Sequence, residues 1–341
     1  MSSPKRVVAL PRAAQFSILH SPFHIILYLC IQIHYCDMSD TDNSDKAAAD
    51  AATADAAATA SGPIQLDLHA IVRARLGRKA RWVPRCLVSW LARLIHQDEL
   101  NALLRNNYPR RGAEFCRGVL SDLHVTVSLA EGSHLPDPAR RRVIIVSNHP
   151  LGGLDGMALI DIFTRHYGGQ VHFIVNDLLM AVEPLKDVFV PVNTHAVQSR
   201  TTITSIEDVL AGDDPILIFP AGLCSRLQDD GSIADLPWRK SFVTMARQYQ
   251  RDIVPVYFSG TNTPSFYRTA RRRQRLGLHF NFEMVLLPRE VLRARGRHFD
   301  IACADVIPYS DIQDRTPRQA ADNIRNIVYS MAQQCSPYPG Q

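Results

Sequence analysis

Nothing in the chain is spaced to hold a structural metal. Its seven cysteines are scattered, with no Cys-x-x-Cys pair and no Cys/His ligand spacing. Neither a zinc site nor a disulfide framework is indicated, and a reducing compartment is the simplest setting. G-x-G-x-x-G, P-loop and H-E-x-x-H patterns are missing too, which removes sequence support for dinucleotide, nucleoside-triphosphate and metalloprotease chemistry. No internal repeat is present. Hydrophobic residues make up 46% of the 341 positions, ordinary for a globular protein and too few for a polytopic membrane protein. A net charge of +5 suits an anionic partner without indicating nucleic acid.

The first 62 residues differ from the rest. Lys5, Arg6 and Arg12 precede an apolar run from Phe16 to Tyr35, the outline of a signal or anchor segment. His20, Pro22, His24, Gln32 and His34 interrupt that run, and no small-residue cleavage site follows. From Met38 to Gly62 the chain is rich in Ala, Asp and Thr, the composition of a disordered tail. The preferred reading is that translation starts at Met38, with a genuine N-terminal anchor as the alternative. The expected organisation is residues 1–62 as an extension, 63–123 as a helical N-terminal region and 124–335 as the main domain.

The chain is organised around Val143–Phe163. Val143, Ile144, Ile145 and Val146 read as a buried strand, and Met157, Leu159, Ile160 and Phe163 recur at helical spacing. Between them lies a turn with Asn148, His149, Pro150, Gly152, Gly153 and Asp155. Open α/β sheets place their chemistry at such strand ends. An unperturbed imidazole, with a pKa near ~6.5, can take a proton from an attacking hydroxyl or amine at neutral pH. It needs a carboxylate to fix its tautomer, and Asp155 is the nearest one downstream. Gly152 and Gly153 let the backbone turn tightly enough for the two to meet. Free N–H groups at the helix start would favour a phosphate or a developing oxyanion. The plainer alternative makes Asp155 a helix cap and His149 a turn residue bonded to backbone.

Elsewhere strands and helices alternate. Strands are expected at Val125–Leu129, Val171–Val175, Val188–Val192, Ile216–Phe219, Ile253–Phe258, Phe280–Leu287 and residues 297–303. Helices are expected at Thr202–Leu210, Phe242–Tyr249 and through Ile324, Ile327, Val328 and Met331, with a short one from Asn176 to Leu179. This alternation gives an α/β fold with a mixed, mostly parallel central sheet flanked by helices and an N-terminal helical region. In that region Val83, Leu87, Trp90, Leu91, Leu94 and Ile95 share one helical face, which either packs on the domain or lies in a bilayer interface. Phe266 and Tyr267 beside Arg268, Arg271, Arg272, Arg273 and Arg275 either grip anionic groups or form a solvated basic face. Arg200, in a polar turn, is a candidate phosphate clamp or a loop residue. After the strand ending at Phe219, Pro220 and Gly222 allow close backbone approach, while Ser225 and Arg226 supply a donor and a fixed charge. Cys224 reads as a small buried hydrophobe, with nucleophilic attack a remote alternative.

Three of these segments carry a resemblance. Ser147–Gly156, reading SNHPLGGLDG, resembles the first motif of the glycerolipid acyltransferases, the family that includes 1-acylglycerol-3-phosphate acyltransferase. Phe219–Arg226 resembles that family's F-P-E-G-T-R-S-R block, and Ile253–Val256 its last motif, a hydrophobic strand with a central proline. The stretch from Ile64 onward is similar to a bacterial branch described as lysophospholipid acyltransferase-like or haemolysin-like. Two departures stand out. Five residues separate His149 from Asp155, where the family has four, and Ala221 replaces the family's glutamate. In the family that region helps bind the acceptor's phosphate and glycerol, so the replacement puts an ordinary glycerol-phosphate acceptor in question.

The resemblance implies that residues 124–335 form an acyltransferase domain. It would move a fatty acyl group from an acyl carrier protein or coenzyme A thioester to a lysophospholipid- or glycerolipid-type acceptor. His149 would be the general base and Asp155 its holder, attack being direct. Asn148, Gly152, Gly153, Arg200, Phe219, Pro220, Gly222, Ser225 and Arg226 would position substrates or stabilise charge. No metal or redox cofactor is expected, because the thioester is already activated. Peripheral contact with the cytoplasmic face of a membrane is expected. An N-acyltransferase acting on an amino acid or aminolipid, and a non-catalytic lipid-binding module that docks on membranes, are the other readings.

Overall fold

The computed structural model describes residues 65–176, 179–180, 182–192, 206–277 and 281–335. The N-terminal extension, Asn193, His195, Arg200 and the start of the Thr202–Leu210 helix lie outside the described residues, as does part of the short helix expected after Asn176.

Four helices come first: α1 (Leu68–Leu76), α2 (Arg85–Leu94), α3 (Gln97–Asn106) and α4 (Gly112–Asp122). Then follow β1 (Thr126–Leu129), β2 (Val143–Ser147), α5 (Leu154–Tyr167), β3 (His172–Val175), β4 (Phe189–Pro191), α6 (Ile206–Ala211) and β5 (Ile216–Ile218). A hairpin of β6 (Arg226–Leu227) and β7 (Ile233–Ala234) precedes α7 (Ser241–Gln248) and β8 (Asp252–Phe258). The chain closes with α8 (Pro264–Arg275), α9 (Leu287–Arg293), β9 (His298–Cys303) and α10 (Pro317–Ser330).

Among the described residues, seven strands form one sheet in the order β1-β9-β8-β2-β5-β3-β4. Every neighbouring pair is parallel except β8 with β9. Strand β2 is central and buried at all five positions, as its β-branched run requires when helices cover both faces. Strand alternation sends Val143 and Ile145 to one face and Ile144 and Val146 to the other. The first face packs against α4 and α5, the second against α6, α7 and α10. After β2 the chain crosses the first face through α5 to reach β3, and after β5 it crosses the second face through α7 to reach β8. Neighbouring strands β2 and β5 therefore send their connections to opposite sides. Sheets of this kind bind ligands in the crevice beyond the carboxyl ends of the strands at such a switch point.

Two expectations are corrected. Phe280–Leu287 is not a strand: residues Phe282–Leu286 form a 3₁₀ turn running into α9. Its apolar residues face other helices, with Val285 packed on the α1–α2 cluster and Leu286 beside Phe266 and Tyr267. A short apolar run cannot by itself tell a strand from a buried helical segment. Phe115, Val119 and Leu120 of α4, with Leu123, share a core with β2 and α5. On α2, Leu91 and, partly buried, Leu87 and Leu94 pack inward as expected together with Val83 and Ile95, and Val88 joins them, while Trp90 is 50% exposed.

Candidate active site

Strand β2 delivers Asn148 and His149 to the crevice. Asn148 is buried, and its side chain behaves like a further rung of the β2–β8 ladder: Nδ2 donates to Phe258 O at 2.9 Å, and Phe258 N donates to Oδ1 at 2.7 Å. This pins the strand end from which His149 projects. Phe219, in line with Leu217 on the same face of β5, stacks on the imidazole at 4.0 Å between ring centroids.

Asp155 sits fully buried in the first turn of α5, and His149 Nδ1 lies 2.9 Å from its Oδ2. The residue between the two that exceeds the resembled pattern is absorbed by the Pro150–Gly153 turn, where Gly152 adopts φ +76°. A Cβ on Gly152 would also stand 2.8 Å from Leu287, so packing demands glycine there as well as backbone shape. Asp155 accepts N–H bonds from Leu151 (2.9 Å), Gly153 (3.0 Å) and Gly156 (2.9 Å). Burial pushes its pKa up, but the neighbouring His149 charge and these hydrogen bonds outweigh that and hold it below the ordinary carboxylate value. The N–H groups expected to greet a substrate anion at this helix start thus serve Asp155. The geometry leaves His149 Nε2 as the nitrogen available for a proton, because Nδ1 faces the carboxylate.

A second buried carboxylate stands behind the histidine. Asp235, beside the hairpin, accepts the His149 backbone N–H at 3.2 Å and the Ser225 hydroxyl at 2.6 Å through Oδ1, and the Trp238 indole N–H at 2.9 Å through Oδ2. Ser225 N donates to His149 O at 2.8 Å, so His149 is clasped on both backbone polar groups. Burial raises the Asp235 pKa. The sequence carried no periodic signal for this residue. The Asp-x-x-Trp spacing is the one local trace it left.

Asn148, His149, Gly152, Gly153, Asp155, Phe219, Pro220, Gly222 and Ser225 lie on the segments that leave the carboxyl ends of β2 and β5, and Arg200 lies outside the described residues. Ser225 is turned inward to Asp235 and is 2% exposed. Arg226 is also buried, its NH2 3.1 Å from Glu283 Oε1, with Arg273 Nε 3.0 Å from Oε2 of the same carboxylate. Glu283, fully buried, was masked in the sequence by the expectation of a strand. Phe266 and Tyr267 are interior residues, which leaves Arg268, Arg272 and Arg275 on the solvent face of α8. Cys224 is fully buried, and burial pushes its thiol up to about 11. Its replacement by alanine is expected to leave kcat within a few-fold of the unaltered protein, since a thiol at that pKa supplies almost no thiolate at neutral pH. An acyl-enzyme trapped on Cys224 would contradict this.

A half-buried histidine held by a fully buried aspartate stands at the switch point of an α/β sheet, an arrangement chemically able to move a proton. Comparison with known proteins makes the class specific. The model of the family described as Acyltransferase matches residues 71–335. A lyso-glycine lipid O-acyltransferase of Phocaeicola vulgatus is 38% identical over 267 residues, covering 78% of this chain and 95% of that protein. A protein of the same name from Bacteroides thetaiotaomicron is 36% identical, covering 78% and 97%. The crystal structure of the 1-acyl-sn-glycerophosphate (LPA) acyltransferase PlsC from Thermotoga maritima aligns over 72% of this chain and 94% of that one, at 14% identity and a TM-score of 0.36. The chain belongs to the acyltransferase family, and it is an acyltransferase. The matched region takes in most of the N-terminal helices, in keeping with their share in the core.

Proposed function

We propose that the enzyme transfers a fatty acyl group from an acyl carrier protein or coenzyme A thioester to the hydroxyl of a lyso-glycine lipid, with His149 as general base. The observation that carries the mechanism is the His149–Asp155 contact of 2.9 Å at the mouth of the β2–β5 crevice. The acceptor is taken from the two relatives, both named for O-acylation of that lipid. That replaces the lysophospholipid or glycerolipid acceptor suggested by the sequence motifs, and it makes a hydroxyl the nucleophile in preference to an amine. His149 Nε2 takes the hydroxyl proton as the oxygen attacks the thioester carbon. The C–O bond forms, the C–S bond breaks, and the imidazolium returns its proton to the departing thiolate. Asp155 stabilises that imidazolium and fixes its tautomer.

Peripheral contact with the cytoplasmic face of a membrane belongs to the same proposal. Trp82 is 71% exposed with the Arg81 guanidinium 5.4 Å from its ring, and Trp90 stands half exposed on α2. Tryptophan beside arginine suits the boundary between anionic headgroups and acyl chains. No helix among the described residues is long and apolar enough to cross a membrane.

The test offers the full chain labelled acyl carrier protein or labelled acyl-coenzyme A, together with lyso-glycine lipid or lysophosphatidic acid. An O-acylated glycine lipid is the expected product from at least one donor. Product from lysophosphatidic acid alone would overturn the acceptor assignment.

A further inference from the structure

Arg239 stands beside the turn that leaves the carboxyl end of β5, a position that bears on acceptor choice. Its backbone N–H donates to Pro220 O at 3.0 Å. Its guanidinium lies along the α-carbon of Gly222: a Cβ there would stand 3.4 Å from Cζ, 3.5 Å from NH2 and 3.6 Å from Nε. Gly222 N–H folds back to Phe219 O at 3.1 Å, a turn that keeps its ends within about 7 Å of each other. Phe219 is the ring stacked on His149. The guanidinium and the reacting imidazole therefore flank one short turn.

The segment bearing Arg239 is firmly held. Trp238 is fully buried, bonded through its indole to Asp235 and through its carbonyl to Arg318 at 3.1 Å. Asp235 also holds the His149 backbone N–H, so one carboxylate ties the Arg239 segment and the His149 strand end together. Arg239 itself is exposed, and among the described residues no side chain pairs with its guanidinium. Lys240, next in the chain, is exposed as well. The nearest carboxylate in the segment, Asp235, is turned inward to three donors. Ala221 beside the turn is neutral, where the resembled family has a glutamate.

The wall of this turn is therefore cationic, with a guanidinium free to make two parallel bonds to a planar anion. Glycine can be joined to a lipid through its nitrogen, leaving a carboxylate, or through its carboxyl, leaving an amine. An ammonium group would be repelled by this wall, whereas a carboxylate matches it. Resting on the acceptor reading above, we propose that Arg239 binds the free carboxylate of an acceptor whose amino acid is acylated on nitrogen, and so presents the lipid hydroxyl to His149.

The test compares a hydroxyacyl chain amide-linked to glycine with its methyl ester, both as acceptors for the full chain and its variants. The unaltered protein should prefer the free acid. Arg239→Gln should raise KM for the acid about tenfold or more, the scale of a hydrogen-bonded charge, while kcat and the thioester KM stay close to the original. The acid-over-ester preference should vanish in Arg239→Gln and persist in part in Arg239→Lys. An unchanged preference in Arg239→Gln would overturn the assignment. So would a rise confined to the thioester KM, which would give this arginine to a phosphate of the donor. Failure of the acceptor reading itself would show differently, as no transfer to either glycine conjugate by the unaltered protein.

Discussion

Replacement of His149 by alanine is expected to lower kcat by about 10²–10⁴-fold with little change in acceptor KM, the usual yield of a positioned general base. Asp155→Asn is expected to cost roughly 10⁴-fold, because an amide holds the wrong imidazole tautomer and cannot stabilise the imidazolium. Single-turnover transfer from a labelled thioester measures both. Retention of more than about a third of kcat in His149→Ala would remove the proposed base, a threshold far above the general-base range.

Asp155 also supports the fold, and its pKa gives the sign. The folded-state value lies below the ordinary one, so its stabilisation is present above the unfolded carboxylate pKa of about 3.9. It is lost as pH falls through the lowered folded value. Asp155→Asn should therefore be less stable than the unaltered protein at neutral pH, with the two curves converging in acid. Asp235 has the opposite sign: its raised pKa makes its contribution largest in acid and smaller as pH rises through the folded value. Urea unfolding across that range separates the two.

The second large effect is on stability. Glu283→Gln is expected to destabilise the protein by about 3–5 kcal/mol, because it removes the carboxylate lying between two buried guanidinium groups, Arg226 and Arg273. The Glu283 oxygens stand at ion-pair distance without an aligned hydrogen bond, so attraction within the pair is not the main source of the loss. The cost lies in the buried positive charge left behind. Replacing the whole cluster, Arg226→Met and Arg273→Met with Glu283→Leu, should accordingly recover much of it. A fall in the urea midpoint at constant m-value would register the loss. A Glu283→Gln change below about 1 kcal/mol would show that water reaches the cluster. This cluster joins the turn after β5 to the segment between α8 and α9, so its loss should also loosen the packing of Leu287 against Gly152.

The sequence alone was enough for the parts governed by local pattern. A β-branched run favours a buried strand, its break into a glycine turn marks a helix start, and strand–helix alternation along the chain points to an α/β sheet. The Asn148-His149 and Asp155 pairing was readable for the same reason, since six residues of tight turn bring the two side chains together without help from elsewhere. Tertiary structure decided what depends on distant partners. Whether Arg226 faces a ligand or the interior rests on Glu283, more than fifty residues away in sequence, since a buried charge needs a partner charge or a full set of hydrogen bonds. Phe282–Leu286 became a helical turn because its apolar residues meet α1, α2 and α8, contacts that no local periodicity encodes. Asp235 became a brace for His149 only once the β6–β7 hairpin returned it to the end of β2. Arg239 gained its place beside the turn after β5 by the same return.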